Sequence, residues 1–406
     1  MSRVLVIGGG AAGMLAAYGA AITGKEVILL EKNEKLGKKI YITGKGRCNV
    51  TANVHTDEFF LQVVSNPKFT FSSINNFTPQ NTIELLEKHG LKLKTERGDR
   101  VFPLSDKASD VTKTLEKILI SLDVDIRLNT TVNEILYKDN QVCAVKTDLG
   151  VINCDCVIVC TGGCSYTSTG STGDGYEFAK AAGHSIIELK PSLVGIELKG
   201  SDFLEMQGLS LKNVSVLAKC AEKTIHKEFG EMLFTHFGVS GPIILSCSSK
   251  INRLDFSKII LSIDLKPALD YNTLDKRLIR EFKENNVKAV SSVMRSLLPK
   301  VLIDCVLRRA RVNPNKNCSE ISVEERSNII KTLKNLEFNV KGLRPLNEAI
   351  VTAGGVNVKE INPKTMESKL VKGLFFAGEV LDIDAFTGGY NLQLAFATGY
   401  AAGYNC

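Results

Sequence analysis

One stretch near the amino terminus leaves this chain few folds to choose from. Arg3-Val4-Leu5-Val6-Ile7 is a short apolar run, and Gly8-Gly9-Gly10-Ala11-Ala12-Gly13 follows without a spacer. Small residues over 11–23 read as a helix, and Val27-Ile28-Leu29-Leu30 as a second strand that ends on Glu31. Strand, glycine turn, helix, strand and acid, in that order, make a dinucleotide-binding βαβ unit. Gly8 serves the tight turn. Gly10 keeps a Cβ out of the path of a pyrophosphate, and Gly13 lets the helix close on the strand. The helix start at Ala11 and Ala12 offers free N–H groups to phosphate. Glu31 is placed to accept from an adenosine ribose, and its replacement is expected to weaken the ligand with little loss of fold.

A chain of 406 residues has room for two domains or three. Its net charge of +7 permits anionic ligands without demanding nucleic acid. The one dense basic run, Arg308-Arg309-Ala310-Arg311, reads as a solvated helix end. No stripe interleaves aromatic and basic residues, which disfavours nucleic acid as a partner. No secretory leader is visible, and no apolar run reaches the ~18 residues of a membrane span. A cytoplasmic protein acting on a small molecule is expected. Of eleven cysteines, Cys154, Cys156 and Cys160 fall in one apolar run, with Cys164 nearby. Without a C-x-x-C pair they read as buried thiols on a strand, and no metal site is expected.

Residues 32–49 form a lysine- and glycine-rich loop containing Lys32, Lys39, Gly46, Arg47, Cys48 and Asn49. Converging backbone N–H groups, a guanidinium fork and an amide suit an anionic or planar ligand. A helix over 81–89 follows Thr78-Pro79, and another runs to Ser121 from a cap at Ser109 or Asp110. Residues 123–128 are a short strand. Residues 131–137, 142–147 and 151–160 read as an antiparallel meander whose last strand ends in Thr161-Gly162. A strand over 186–189 is broken by Pro191. From Leu193 short strands take over (195–199, 214–220, 231–235, 259–265), and Pro267 closes them. Helical periodicity then marks 274–285, 290–298, 300–308 and 323–333. Strand character returns at 347–356 and 374–377. Gly378-Glu379, Asp382 and Asp384 follow, and a helix runs over 391–403. The domain reading is 1–190 and 346–406 for the nucleotide domain. A β-barrel-like insertion fills 191–345, with a helical subdomain at about 270–336.

One nucleotide motif at the start and a second strand, acidic turn and helix at the end suit a long, two-ended cofactor. No second G-x-G-x-x-G occurs. FAD fits best, because its reduced ring carries negative charge that a helix N-terminus at Tyr390, Asn391 and Leu392 stabilises.

The same stretches resemble the flavoproteins described as aminoacetone-oxidase-like or bile-acid-operon-type FAD oxidoreductases. The carriers are Gly8 to Gly13, Gly44-Lys-Gly-Arg-Cys-Asn49, Leu233-Phe-Thr-His-Phe-Gly-Val-Ser-Gly-Pro242, Val351-Thr-Ala-Gly-Gly355, Asn362-Pro-Lys-Thr-Met-Glu-Ser-Lys369, and Phe376-Ala-Gly-Glu-Val380 through Asn391. Lys45 departs from the pattern, where glycine is expected. The resemblance implies an α/β, Rossmann-like FAD domain, a parallel sheet with a β-meander, split by a β-rich insertion that carries helices. It implies FAD contacts from the N-terminal glycines, Glu31, the Arg47 region, the strand at Val132, Glu379 and the helix start at Asn391 and Leu392. Val132 would meet adenine through backbone groups.

For catalysis the sequence offers His236 as a proton donor, Cys48 as a thiol and Tyr390 as a ring against the flavin. Cys48 has no redox partner in its loop, so a dithiol mechanism is not expected. The reading is hydride transfer between flavin N5 and a small organic substrate, with electrons exchanged with NADH, NADPH or oxygen. The alternatives are an RNA-modifying flavoenzyme and a non-catalytic flavin sensor.

Overall fold

Apolar strands joined through a small-residue helix can be buried on both faces, and that sets up a parallel sheet. The computed structural model describes residues 2–406. They form two compact units: Met1–Ser192 with Pro345–Cys406, and Leu193–Arg344.

In the first unit β1 (Arg3–Ile7), α1 (Ala11–Ala21) and β2 (Glu26–Leu30) form the βαβ start, with Ile7 opposite Leu30 in parallel pairing. The loop expected over 32–49 contains a short helix, α2 (Lys38–Ile42), and a 3₁₀ turn, Thr43–Gly46. Lys45 takes φ 58°, between Gly44 and Gly46, which also lie at positive φ. That left-handed conformation costs a non-glycine residue about 1 kcal/mol, which explains why glycine is the expected residue there. Residues 51–103 hold β3 (Thr51–Ala52), α3 (Thr56–Phe60), α4 (Pro67–Asn76), α5 (Pro79–Lys88), β4 (Leu93–Glu96) and β5 (Arg100–Pro103). Only α5 was foreseen, and Thr78 caps it in a capping box with Asn81. The next helix, α6 (Ala108–Ser121), begins after Lys107 without a side-chain cap. Ser109 and Asp110 lie inside its first turn instead.

After β6 (Asp125–Arg127), the meander β7 (Val132–Lys138), β8 (Gln141–Thr147) and β9 (Gly150–Asn153) forms its own antiparallel sheet. The run expected over 151–160 is two strands, because β10 (Cys156–Val159) leaves the meander and pairs with β1 in parallel. The break is at Cys154-Asp155, where the Asp155 carboxylate accepts from the Arg3 N–H at 2.7 Å. Cys154 therefore lies off the strand that holds Cys156. All eleven cysteines are free, and among the described residues no three metal-ligating side chains converge. α7 (Asp174–Ala181) leads to β11 (Ile186–Ser192), which runs through Pro191 rather than ending there. β11 belongs to a two-stranded sheet, and edge strands tolerate proline.

The second unit is a closed barrel. Its strands are β12 (Ile196–Leu198), β13 (Ser210–Cys220), β14 (Lys223–Thr235), β15 (Gly238–Ser240), β16 (Ile259–Asp264) and β17 (Leu336–Leu343). The order around it is β12-β15-β14-β13-β16-β17. Pro267 does not close it. The last stave, β17, comes after α8 (Pro242–Ile251), α9 (Tyr271–Glu284), α10 (Val290–Val293), α11 (Lys300–Ala310) and α12 (Val323–Lys334). Leu336, Phe338 and Val340 point into the barrel core while Glu337, Asn339 and Lys341 are exposed, a strand alternation. The basic run is not a bare solvated face. Arg308 makes two hydrogen bonds to Glu205, and Arg309 pairs with Asp202 and stacks 4.4 Å from the Phe338 ring centre.

The chain returns to the first unit with β18 (Val351–Val356) beside β11, then β19 (Leu374–Phe376) and α13 (Tyr390–Asn405). The parallel sheet is ordered β19-β10-β1-β2-β6, and Val4, Leu5, Val157, Ile158 and Phe376 at its centre are fully buried. α13 packs on α1 almost backbone to backbone. A Cβ on Gly399 would stand 2.2 Å from the Ala12 carbonyl oxygen, and one on Gly403 would stand 1.9 Å from that of Ala16. The contacts 12 with 399 and 16 with 403 make the helices run in the same direction. No described helix is long and apolar enough to cross a membrane.

Candidate functional site

Four neighbouring strands of the parallel sheet end on residues that the sequence singles out. β2 ends at Glu31, β1 at Gly8, β10 at Thr161-Gly162 and β19 at Gly378-Glu379. Ligands of open parallel sheets bind outside these carboxyl ends. Gly8 (φ 100°) has no room for a side chain, since a Cβ would lie 2.7 Å from the Cys160 carbonyl oxygen. A Cβ on Gly13 would lie 1.8 Å from the Gly8 oxygen, whereas one on Gly10 would meet nothing within 4 Å. Gly10 thus faces open space at the start of α1, and no side chain caps that helix.

Glu31 is buried and already employed. Its Oε2 accepts from Gly9 N–H at 2.7 Å, and its Oε1 accepts from the Asn33 N–H at 2.8 Å and from the Asn33 amide at 2.6 Å. The carboxylate therefore pins the glycine turn, so it has a structural task besides any ligand contact. Lys32 is tied to Asp174 at 2.6 Å and to Thr172.

Glu379 and Lys39 meet across the whole length of the chain, at 2.5 Å. Ser165 Oγ accepts from Lys39 Nζ and donates to Glu379 Oε1, which also accepts from Thr352 N–H at 2.8 Å. Ser165 was invisible to sequence reasoning, because nothing local distinguishes it from other hydroxyls, and Thr352 stood in the Val351–Gly355 motif without a role of its own. Thr161 Oγ1 and Asn49 Oδ1 are buried and have no hydrogen-bond partner. Orphaned buried acceptors of this kind mark places for a further polar ligand. Val132 opens β7, an edge strand whose outer backbone groups have no neighbouring strand. Its predecessor Thr131 spends both backbone groups on Asp148, and alternation turns those of Val132 outward.

At the other end, Gly389 (φ 97°) begins α13 with no side-chain cap, leaving the first-turn N–H groups of Tyr390, Asn391 and Leu392 exposed to a ligand. A Cβ on Gly389 would collide with the Thr51 backbone at 2.6 Å. The Asn391 side chain is spent locally, accepting from Ala385 N–H and donating to the Ala385 and Phe386 carbonyls. Asp384 is fully buried and accepts from Ser192 Oγ at 2.7 Å, so it braces the turn. Gln393, which the sequence analysis passed over, is fully buried and takes hydrogen bonds from Thr51 and Thr82 while donating to the Phe77 carbonyl. The Tyr390 ring packs edge-on against Phe59 at 5.2 Å, and burial raises its phenol pKa.

Two expected contacts look different in three dimensions. The Arg47 guanidinium is not a free fork: it pairs with Glu96 and Asp106 at 2.5 and 2.6 Å and lies 4.1 Å from the centre of the Phe102 ring. Cys48 is fully buried, and burial pushes its thiol up to about 12, which removes it as a nucleophile or redox thiol near neutral pH. His236 lies in the second unit, exposed on the turn between β14 and β15.

These residues fit a dinucleotide with a ring at its far end. They supply glycine clearance at Gly10, uncapped helix starts at α1 and α13, and unpartnered polar atoms at Asn49 and Thr161. The relatives of the chain are consistent with that fit. It is 31% identical to the 3-dehydro-bile acid delta(4,6)-reductase of Clostridium scindens, over 99% of this chain and 98% of that protein. It is 30% identical to the ribosomal RNA dihydrouridine synthase of Escherichia coli, over 98% of this chain and 96% of that protein. Among solved structures, the 3-ketosteroid-delta4-(5alpha)-dehydrogenase of Rhodococcus jostii RHA1 shares the fold, with TM-score 0.54 and 14% identity over 100% of this chain and 96% of that one. A family model described as the HI0933-like protein Rossmann domain matches residues 2–405, and the chain belongs to that HI0933-like family.

Proposed function

We propose that the protein is an FAD-dependent reductase that adds two hydrogens across a carbon–carbon double bond conjugated to a carbonyl. One observation carries the cofactor half of this reading. α1 and α13 run in the same direction, and α13 starts eight residues further forward, an offset of about 12 Å along the axis. Two helix N-termini staggered this way suit the pyrophosphate and the ring of one extended ligand. The reaction class draws on the two relatives. A delta(4,6)-reductase of a 3-dehydro bile acid and a dihydrouridine synthase both saturate a double bond in conjugation with a carbonyl.

Bound FAD would supply the hydride at N5 of its reduced ring. The chain's own work is to hold and polarise. The N–H groups at the start of α13 favour negative charge on the ring. Glu379, fixed by Lys39, Ser165 and Thr352, keeps the turn after β19 in place beside the start of α1. Tyr390, whose phenol stays protonated at neutral pH, presents a hydrogen-bond donor and a ring backed by Phe59. A proton must reach the carbon next to the carbonyl, and Tyr390 Oη is the candidate carrier. NADH or NADPH would be the reductant. The free thiols fit a reducing compartment, the cytoplasm.

One observation favours RNA over a small enone as substrate. Residues 193–344 carry 25 Lys and Arg against 17 Asp and Glu, a net +8, while the rest of the chain carries 26 against 27. The whole positive excess thus sits on the inserted unit, where it would attract a polyanion. The experiment is anaerobic turnover of the FAD-reconstituted protein with a 3-keto-4-ene bile acid and, separately, with ribosomal RNA, read by a two-dalton gain. Absence of flavin absorbance after reconstitution would overturn the cofactor. Flavin that is reduced by dithionite yet saturates neither substrate would overturn the reaction class.

A further inference from the structure

The barrel of the inserted unit carries a cavity that no step above uses. Its volume is about 470 Å³, in the range of small-molecule sites, and it lies on the outer face of β12 and β17 beside the β14–β15 turn. Three cations line it, Lys199, Lys341 and Arg344, against one carboxylate, Glu197.

Two of the cations are held, not scattered. Glu197 pairs with Gly342 and Leu198 with Val340, so Lys341 is the extra residue of a β-bulge, a device that re-aims a side chain. Lys341 Nζ lies 3.3 Å from Glu197 Oε2, and Arg344 Nη1 donates to Glu197 Oε1 at 2.9 Å. The Arg344 guanidinium also lies 4.8 Å from the centre of the Phe237 ring. Gly195 makes that stacking feasible, since a Cβ there would come within 2.6 Å of the ring and 3.3 Å of the Arg344 side chain. Gly238 (φ 147°) lets the turn approach β12, because a Cβ would stand 2.4 Å from the Ile196 carbonyl oxygen. Lys199 shares the outward face with Glu197, is exposed, and makes no ion pair among the described residues. His236 completes the rim, edge-on to Phe237 at 5.1 Å.

Among the lining side chains three cations face one carboxylate, and Lys199 keeps its charge outside any ion pair among the described residues. A carboxylate or a phosphodiester brings one negative charge. A phosphate monoester brings about 1.5 to 2 near neutral pH, with three acceptor oxygens. Lysine ammonium groups bind such a group as point charges. We propose that this cavity is a recognition site for a phosphate monoester borne by a nucleotide. The choice of a nucleotide rests on the reductase reading: the chain has one glycine fingerprint, that reading assigns it to FAD, and it names NADH or NADPH as the electron source, which needs a binding place of its own. Two sources carry the same chemistry, the ribose phosphate of NADPH and the terminal phosphate of a mononucleotide.

The test is calorimetric titration of the oxidised, FAD-reconstituted full chain with inorganic phosphate, NADP⁺, NAD⁺ and 5′-AMP. None of these reduces the flavin, so binding is read without turnover. The expected result is that NADP⁺ binds at least about tenfold more tightly than NAD⁺, from which it differs only by the phosphate, and that inorganic phosphate competes. Lys341→Ala and Lys199→Ala should each weaken NADP⁺ several-fold, and Gly195→Ala should do so by displacing the Phe237 and Arg344 pair. Binding of phosphate and AMP but not NADP⁺, with the same sensitivity to the lysine variants, would keep the site and assign it to a mononucleotide. NADP⁺ and NAD⁺ binding alike, with no change in the Lys199→Ala/Lys341→Ala double variant, would overturn the proposal. Flavin absorbance and dithionite-driven reduction of the enone stay readable in every variant, so failure here is separable from failure of the reductase reading.

Discussion

Replacing Glu31 tests whether the acid proposed to meet a ribose also holds its own glycine turn. In the folded chain the carboxylate accepts three hydrogen bonds, one of them from the buried Gly9 N–H at 2.7 Å. Glu31→Ala leaves that N–H without a partner, a desolvation cost of roughly 1–3 kcal/mol. The two Asn33 donors are only partly buried and can turn to water, so they add about 1 kcal/mol. A total near 3 kcal/mol lowers the melting point of a unit of about 250 residues by roughly 6–12 °C. Glu31→Gln keeps one acceptor oxygen, but its NH₂ must face either Gly9 or Asn33, so about half the loss is expected. The assay is calorimetric melting of the apo-protein, followed by FAD titration of the same samples. A carboxylate has about four acceptor positions, and three are filled, so one remains for a ribose hydroxyl. Apo-Glu31→Ala melting within 1 °C of wild type while FAD affinity collapses would refute the structural role and return Glu31 to a ligand contact alone.

Gly399→Ala is expected to push α13 off α1, because the new Cβ meets backbone at 2.2 Å; a loss of about 2 kcal/mol and weaker FAD retention should appear in the same melts. Cys48→Ser should keep at least half the rate of flavin reduction, and the wild-type thiol at position 48 should resist iodoacetamide at pH 7; a tenfold rate loss with FAD still bound would contradict this. Burial lowers the pKa of His184, outweighing its hydrogen bond to Glu360. Since the folded value lies below the unfolded one near 6.5, stability is complete above that pH and declines as pH falls below it. His184→Asn should flatten that part of a stability–pH curve, and an unchanged slope would exclude His184 as its source.

The strongest signals in the sequence were those with a steric cause. Gly8 and Gly13 each do what the fingerprint assigns them, because a tight turn and a close helix each reject a Cβ, while Gly10 faces open space. Glu379 and Lys39 were legible as residues, but not as partners, since 340 positions separate them. Arg47 was read as a fork for a ligand, and only the fold brings Glu96 and Asp106 to it. β14 was seen only in its last five residues, because Lys223, Thr224, Lys227 and Glu228 make its exposed half look like a loop. The break between β9 and β10 was hidden for the opposite reason: Cys154 and Cys156 look apolar, and nothing local shows that Asp155 is claimed by the Arg3 backbone. Pro191 signalled an end that an edge strand does not need.

On the proposed FAD reading, the close packing of α13 on α1 also bears on when the cofactor could be retained during synthesis. α1 is made first, yet its partner lies in the last seventeen residues described, after the entire barrel has been translated. A nascent chain therefore carries a complete glycine turn with no second helix to shut over the ring end, and contacts of such long sequence separation form slowly. Any chain cut short by proteolysis or by a stop codon before residue 390 would lack the helix start proposed to hold the ring. Flavin occupancy would then report that synthesis has passed α13, and an excess of free FAD should rescue slow folders while leaving chains that lack this helix colourless.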